Sequence, residues 1–130
     1  MNGILHISSR SLWACGLALA MSVPLGGASA SGFKLLYTFT GGTDGGDPFD
    51  ALIDIKGNLW GTAFDGGADG YGTVFKVAPD GTESVLYSFT GGSDGSNPEA
   101  GLIRDAAGNL YGTTYFGGGT GCGGGGCGTV

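Results

Sequence analysis

Histidine, basic side chains and long apolar runs are scarce in this chain, and each scarcity excludes something. The single histidine, His6, lies near the start, so beyond it neither a Ser-His-Asp set nor a Cys-His pair can be assembled. Five Lys and Arg stand against eleven Asp and Glu, giving a net charge of −6 over 130 residues. An acidic chain repels phosphate backbones and anionic membrane surfaces, because counterion displacement needs Lys and Arg. Nucleic-acid binding is therefore not expected. No stretch beyond residue 30 offers twelve residues of helical periodicity free of Gly and Pro, so essentially no helix is expected there. Cysteine is sparse too: Cys15, Cys122 and Cys127.

The first thirty residues have the order of an export signal. Residues 1–10 carry one positive charge, Arg10, and no acid. Residues 11–25 (SLWACGLALAMSVPL) are uncharged and mostly apolar, and Ala28-Ser29-Ala30 presents the small residues that signal peptidase requires. The apolar run falls short of the roughly 20 residues that span a bilayer. Cys15 within Leu12-Trp13-Ala14-Cys15-Gly16 loosely matches a lipoprotein box, although most of the apolar run follows it rather than preceding it. Cleavage after Ala30 leaves Lys34, Lys56, Lys76 and Arg104 against the eleven acids, a net −7. It also removes Cys15 and leaves Cys122 and Cys127. In an oxidising compartment two cysteines separated by four glycines are expected to pair, with half a metal site as the rival. The expected location is outside the cytoplasm: extracellular, cell-surface or periplasmic. No membrane span is expected after cleavage.

What is abundant is glycine, 31 residues of it, and its placement repeats. The segment Leu35-Leu36-Tyr37-Thr38-Phe39-Thr40-Gly41-Gly42-Thr43-Asp44-Gly45 returns as Val85-Leu86-Tyr87-Ser88-Phe89-Thr90-Gly91-Gly92-Ser93-Asp94-Gly95. Pro48 and Pro98 continue the match, followed by Leu52-Ile53 and Leu102-Ile103. One inserted residue precedes Gly108-Asn109-Leu110-Tyr111-Gly112-Thr113, the counterpart of Gly57-Asn58-Leu59-Trp60-Gly61-Thr62. Tyr71-Gly72-Thr73-Val74 corresponds to Cys127-Gly128-Thr129-Val130 after a five-residue glycine-rich expansion. The domain organisation is thus a leader over residues 1–30 and a β-repeat region over 31–130. Unit 1 covers about 33–82 and unit 2 about 83–130.

Short aromatic and β-branched runs bounded by Gly, Asp, Asn or Pro read as strands. They fall at 34–39, 52–55, 59–64, 73–78, 84–89, 102–103 and 110–115. In 73–77, Thr73, Phe75 and Val77 share one face, with Val74 and Lys76 opposite. The expected class is all-β, built of tandem four-stranded antiparallel units. Four short strands in about fifty residues are the content of one β-propeller blade, which must stack on neighbours to bury both faces. Thr129-Val130 matches the opening of a strand, so the chain is expected to be a fragment of a longer protein; assembly of several chains into a ring is the alternative.

The ordered series resembles the GloVer (Gloeo/Verruco) tandem-repeat family of bacterial exported proteins. The resemblance rests on Gly108-Asn109-Leu110-Tyr111-Gly112-Thr113-Thr114 with Gly117-Gly118, on Gly72-Thr73-Val74-Phe75-Lys76-Val77, and on Leu86-Tyr87-Ser88-Phe89 with Gly91-Gly92. It covers nearly all of residues 33–130. The resemblance implies a β-propeller of many repeats, often with a C-terminal surface anchor, of which this chain would be an incomplete part, and carries no catalytic residues. Fewer than two repeats and no anchor are seen in this sequence. The Gly-Asn-Leu-aromatic-Gly-Thr element is more distantly similar to sensor propellers of two-component regulators.

Three clusters could carry chemistry. Asp44, Asp47 and Asp94, interleaved with glycine, suit calcium, a hard cation needing several oxygens; the competing reading is a turn in which Asp caps backbone amides. The spacing matches neither an EF-hand loop nor the calcium nonapeptide. Trp60, Tyr111 and Tyr115 could stack on sugar faces, with Phe64 and Tyr71 in the same set, or could fill space between sheets. Asp65 and Asp69 are close enough in sequence for a glycosidase pair, but nothing beside them would hold one protonated. The expectation is a non-enzymatic exported repeat protein presenting an interaction surface, whose partners are further repeats or other copies of itself. No cofactor is expected unless calcium is one. The alternative is an extracellular glycan or small-ligand module, with calcium assistance; the remote alternative is part of a larger hydrolase.

Overall fold

The computed structural model describes residues 32–130, so the export signal assigned to residues 1–30 lies outside the described residues. Residues Leu35–Val130 form one compact body.

Four strands make the principal sheet: β1 Ile53–Ile55, β2 Asn58–Ala63, β3 Thr73–Val77 and β4 Glu83–Ser88, antiparallel neighbours in chain order. Lys56 and Gly57 turn the chain between β1 and β2 with φ of 55° and 83°. Positive φ at both central residues is what a two-residue hairpin of right-handed twist demands. The Asp54 side chain closes the turn by accepting from Gly57 N at 2.8 Å. The period-two pattern of β3 holds: Thr73, Phe75 and Val77 are buried while Val74 and Lys76 are half-buried.

The sheet is out of phase with the sequence repeat. Strands β1 to β3 come from the first copy, and β4 comes from the second. The earlier copy of the β4 sequence, at 35–39, was expected to be a strand and is not one. Among the described residues no strand pairs with it. Its side chains instead cover the sheet, with Leu36, Tyr37 and Phe39 packed on the buried cluster Ala63, Phe75 and Val77. Phe39 meets Phe75 edge to face, ring centroids 4.7 Å apart. Burying a ring such as that of Phe75, 1% exposed, contributes about 1.5–3 kcal/mol.

The second copy begins the same sheet with β5 Ile103–Arg104 and β6 Leu110–Tyr111, paired antiparallel. The residue inserted before Gly108 lengthens the hairpin: Gly108 N donates to Asp105 O at 3.1 Å and Asp105 N to Asn109 O at 3.0 Å. The strand expected over 110–115 is limited to Leu110–Tyr111, followed by a single bridge between Thr114 and Thr129. Helix within the body is limited to one 3-10 turn, Cys122–Gly124, inside the glycine expansion.

A polar seam joins the copies. Asn97 Nδ2 donates to Phe64 O at 3.2 Å and to Asp65 Oδ1 at 3.3 Å, and Asn97 N to Tyr71 O at 2.8 Å. The Thr62 hydroxyl donates to Ala100 O at 3.1 Å, and Gly101 N to Asp50 Oδ2 at 2.5 Å. Each bond of this kind is worth on the order of 1 kcal/mol net, and the seam adds to the ladder between β3 of the first copy and β4 of the second.

Candidate functional site

The aspartate turns are built identically in both copies. Gly41 N donates to Gly45 O and Gly45 N to Gly42 O, which closes a tight loop and turns the Asp44 side chain back over it. Asp44 then accepts from Tyr37 Oη at 2.9 Å, Thr40 N at 2.8 Å and Thr40 Oγ1 at 2.5 Å. Asp94 accepts from Tyr87 Oη at 2.9 Å, Thr90 N at 2.9 Å and Thr90 Oγ1 at 2.6 Å. Hydrogen bonding from the threonine hydroxyl, reinforced by the threonine amide and the tyrosine hydroxyl, holds each carboxyl down at about 2. The same bond to a carboxylate pushes the phenols of Tyr37 and Tyr87 up. Asp47 lies apart from this network: its residue has φ of 51°, and its carbonyl accepts from Phe64 N at 3.1 Å. Asn97, with φ of 55°, occupies its place in the second copy. Among the described residues no group of three His, Cys, Asp or Glu side chains converges.

The three aromatic candidates do not form one constellation. Trp60 sits mid-sheet on β2, half-buried, opposite Ile53 on β1 and Lys76 on β3, and its indole N–H is buried without a partner. Tyr111 holds the same repeat position on β6 yet is 46% exposed; among the described residues β6 pairs with β5 alone. Its hydroxyl donates to Asp105 Oδ2 at 3.1 Å; Asn109 N and Nδ2 also donate to Asp105, at 2.8 Å and 2.7 Å. Tyr115 is exposed and stands edge-on to Phe116, centroids 4.5 Å apart. Asp65 engages Asn97 across the seam, while Asp69 lies exposed in the following glycine turn. Cys122 and Cys127 are joined by a disulfide with Cα atoms 5.4 Å apart. Gly126 N donates to Gly121 O at 3.0 Å inside that loop.

Residue-by-residue reading missed two cavities flanking β6. One, of about 220 Å³, lies between the units and is bounded by Phe89, Leu102, Leu110, Gly112, Thr113 and Thr114 among others. The other, of about 190 Å³ and almost wholly apolar, is bounded by Ile103, Tyr111, Thr113 and the last residue, Val130, among others. Tyr111, and neither Trp60 nor Tyr115, lines the second. The repeat alignment carried the signal. Phe89, Leu102, Gly112 and Thr114 correspond to Phe39, Leu52, Gly61 and Ala63, the surroundings of the Phe75 ring in the first copy.

A family model described as the Gloeobacter/Verrucomicrobia repeat matches residues 24–129. No curated protein and no solved structure matches the chain.

Proposed function

Because the chain belongs to the Gloeobacter/Verrucomicrobia repeat family, we propose that it is an exported, non-enzymatic repeat protein whose stacked β units present an interaction surface. The observation that carries this reading is the exposed apolar set of the second unit. Ile103 and Tyr111 face each other across β5 and β6, and Tyr115 meets Phe116 edge to face. These four side chains are between 44% and 69% exposed. Large apolar side chains exposed side by side mark interaction sites. A blade-like arrangement is supported by the four-stranded meander and by the seam through which one unit docks on the next. Export is supported by the leader pattern of residues 1–30 and by the Cys122–Cys127 disulfide, since such bonds persist in oxidising compartments. A role without catalysis accords with a chain that has no histidine after His6 and whose Asp65 carboxylate engages Asn97.

A glycan-binding module is the second reading, favoured by Tyr111. Its exposed ring stands beside Asp105 and Asn109 at the rim of an apolar cavity, an arrangement that can stack a sugar and bond its hydroxyls. Calcium would assist such a module only as an added ligand. Two measurements test the proposal. Expression of the whole chain in a Gram-negative host is expected to yield an exported product beginning at Ser31; a cytoplasmic product retaining Met1 overturns export. A thermal-shift series with polysaccharides is expected to show no change. A glycan-dependent rise abolished by Tyr111→Ala replaces the first reading with the second.

A further inference from the structure

The dipeptide Asp-Gly occurs five times in the chain: Asp44-Gly45, Asp65-Gly66, Asp69-Gly70, Asp80-Gly81 and Asp94-Gly95. In this dipeptide the main chain can rearrange without an enzyme. The glycine amide nitrogen gives its proton to solvent and attacks the aspartate Cγ; a C–N bond forms, and the carboxyl hydroxyl leaves as water. The resulting succinimide ring then takes up one water. Opening at Cγ restores aspartate, whereas opening at the original peptide carbonyl leaves the main chain running through the side chain, as isoaspartate. Mass is unchanged, and no oxidant or other co-reactant enters. Glycine favours the closure because it has no Cβ to obstruct the approach. The step needs a free amide, an unshielded carboxyl and a backbone able to bring them together.

Four of the five pairs are held against it. Asp44 and Asp94 each accept three hydrogen bonds that keep the carboxyl ionised and so a poor electrophile. The amides that follow them, Gly45 N and Gly95 N, donate to Gly42 O and Gly92 O, both at 3.2 Å. Gly81 N donates to Ala78 O at 2.9 Å, and Asp80 Oδ1 accepts from Thr82 N at 2.9 Å. Asp65 exchanges main-chain bonds with Gly46 and accepts from Asn97 Nδ2. Gly66 after it is buried: a methyl there would stand 2.6 Å from Gly42 O and 2.7 Å from Gly45 Cα.

Asp69-Gly70 differs in each respect. Both residues are exposed, and among the described residues no hydrogen bond holds the Asp69 carboxyl or the Gly70 amide. Gly70 has φ of 83°, and a methyl on it would meet nothing within 4 Å. The next residue, Tyr71, belongs to the seam. Its carbonyl accepts from Asn97 N at 2.8 Å, and its ring lies against Gly91, where a methyl would stand 2.8 Å from the ring. The second copy has no such pair: the same stretch, residues 119–127, is the disulfide loop and contains no aspartate.

We propose that Asp69-Gly70 is a self-modifying site that converts to isoaspartate in the folded protein, and that the conversion loosens the seam through Tyr71. Isoaspartate inserts one extra bond, about 1.5 Å, into the main chain. The insertion falls immediately before a residue whose carbonyl and ring both meet the second unit. The Tyr71 carbonyl is displaced from Asn97 N, while the ladders of β2 and β3 keep their own bonds, so the opening stays local.

The test follows the purified full chain through several weeks at neutral pH. Trypsin then releases residues 57–76 as one peptide, and fragmentation locates isoaspartate within it. Isoaspartate at residue 69 is expected to form at least tenfold faster than at any of the other four pairs, and all five are expected to react at similar rates in guanidinium. Similar rates at all five in the folded protein overturn the site. So does its absence from residue 69 while the unfolded chain forms it. Hydrogen exchange of the Asn97 amide is expected to rise at least tenfold in the isomerised protein. It should stay unchanged in Asp69→Glu aged alongside, whose longer side chain closes a larger ring far more slowly. Unchanged exchange at Asn97 after isomerisation, or an equal rise in Asp69→Glu, overturns the coupling to the seam.

Discussion

Tyr37 donates its phenol to the Asp44 carboxylate at 2.9 Å, and fifty residues later Tyr87 does the same to Asp94, also at 2.9 Å. In both copies the threonine four residues before the aspartate supplies two further donors. A residue seven positions upstream is thereby tied to the tip of the glycine turn. The same clamp thus holds a segment that covers the sheet in the first copy and strand β4, part of the sheet, in the second.

This clamp makes stability depend on pH at both extremes. The folded carboxyls titrate at about 2, below the ordinary carboxylate value of about 3.9. Their contribution is thus complete above about pH 4 and lost as pH falls toward 2. The phenols are raised above about 10, so their contribution is complete below pH 10 and lost as pH rises beyond it. The clamp's contribution to the melting temperature is expected to be constant between these limits and to fall outside them. The double variant Asp44→Asn with Asp94→Asn should make the acid limb shallower, the remainder coming from Asp50 and Asp105, whose carboxyls are also held down by hydrogen bonds. Tyr37→Phe with Tyr87→Phe should make the alkaline limb shallower. An unchanged acid limb in the first pair would refute the clamp.

Calcium meets the same geometry. Each carboxylate already accepts three hydrogen bonds, which a cation would have to displace. Millimolar calcium and EDTA are both expected to leave the melting temperature unmoved. A calcium-dependent rise that Asp44→Asn removes would restore the metal reading.

Two equivalent threonines should respond oppositely to one substitution. The Thr129 hydroxyl lies 2.8 Å from that of Thr114 and donates to Asp94 O at 3.3 Å. Its counterpart Thr73 is fully buried with no partner for its hydroxyl, because Ala63 stands where the second copy has Thr114. Thr73→Val is expected to stabilise by about 1 kcal/mol, and Thr129→Val to destabilise by about 1 kcal/mol, since an unpaired buried hydroxyl carries a desolvation penalty. Urea midpoints at constant slope measure both. Destabilisation by Thr73→Val would show that its hydroxyl is bonded in solution.

The disulfide closes a small loop, and its contribution should be correspondingly small. Chain-entropy scaling for about five residues gives roughly 2 kcal/mol. Cys122→Ser with Cys127→Ser is therefore expected to lower stability by no more than about 2 kcal/mol. Hydrogen exchange should rise at Gly117 and Gly126, whose amides bond within or against the loop, and not in β2 or β3. Loss of protection in β3 would mean that the loop supports the whole body.

Strand β3 is legible in the sequence because half-burial imposes period two on Thr73, Phe75 and Val77. The segment 35–39 shows the limit of such reading. Its residues nearly repeat β4, yet a strand is a pairing, and the pairing partner is not encoded in the segment itself. Trp60 and Tyr111 differ for the same reason: one repeat position is covered by β3 and the other lies at an edge. The role of Asp44 was visible in principle. Tyr and Thr recur seven and four residues before each aspartate, but only the closure of the glycine turn brings them into reach.

Gly61 and Gly112, equivalent in the repeat, meet different neighbours. A methyl at Gly61 would meet Leu52 Cδ2 at 2.6 Å and Phe75 Cζ at 2.8 Å. Overpacking of this kind costs about 1–3 kcal/mol. At Gly112 a methyl would meet only Leu102 Cδ2, at 3.0 Å, beside a cavity into which that side chain can move. Replacing glycine by alanine in a strand also restrains the unfolded chain, worth about 0.4–1 kcal/mol where the backbone permits it. Gly61→Ala is therefore expected to destabilise by about 1–3 kcal/mol and Gly112→Ala to be neutral or slightly stabilising, both read from urea midpoints. Equal destabilisation at the two glycines would mean that the Leu102 side chain cannot yield beside Gly112.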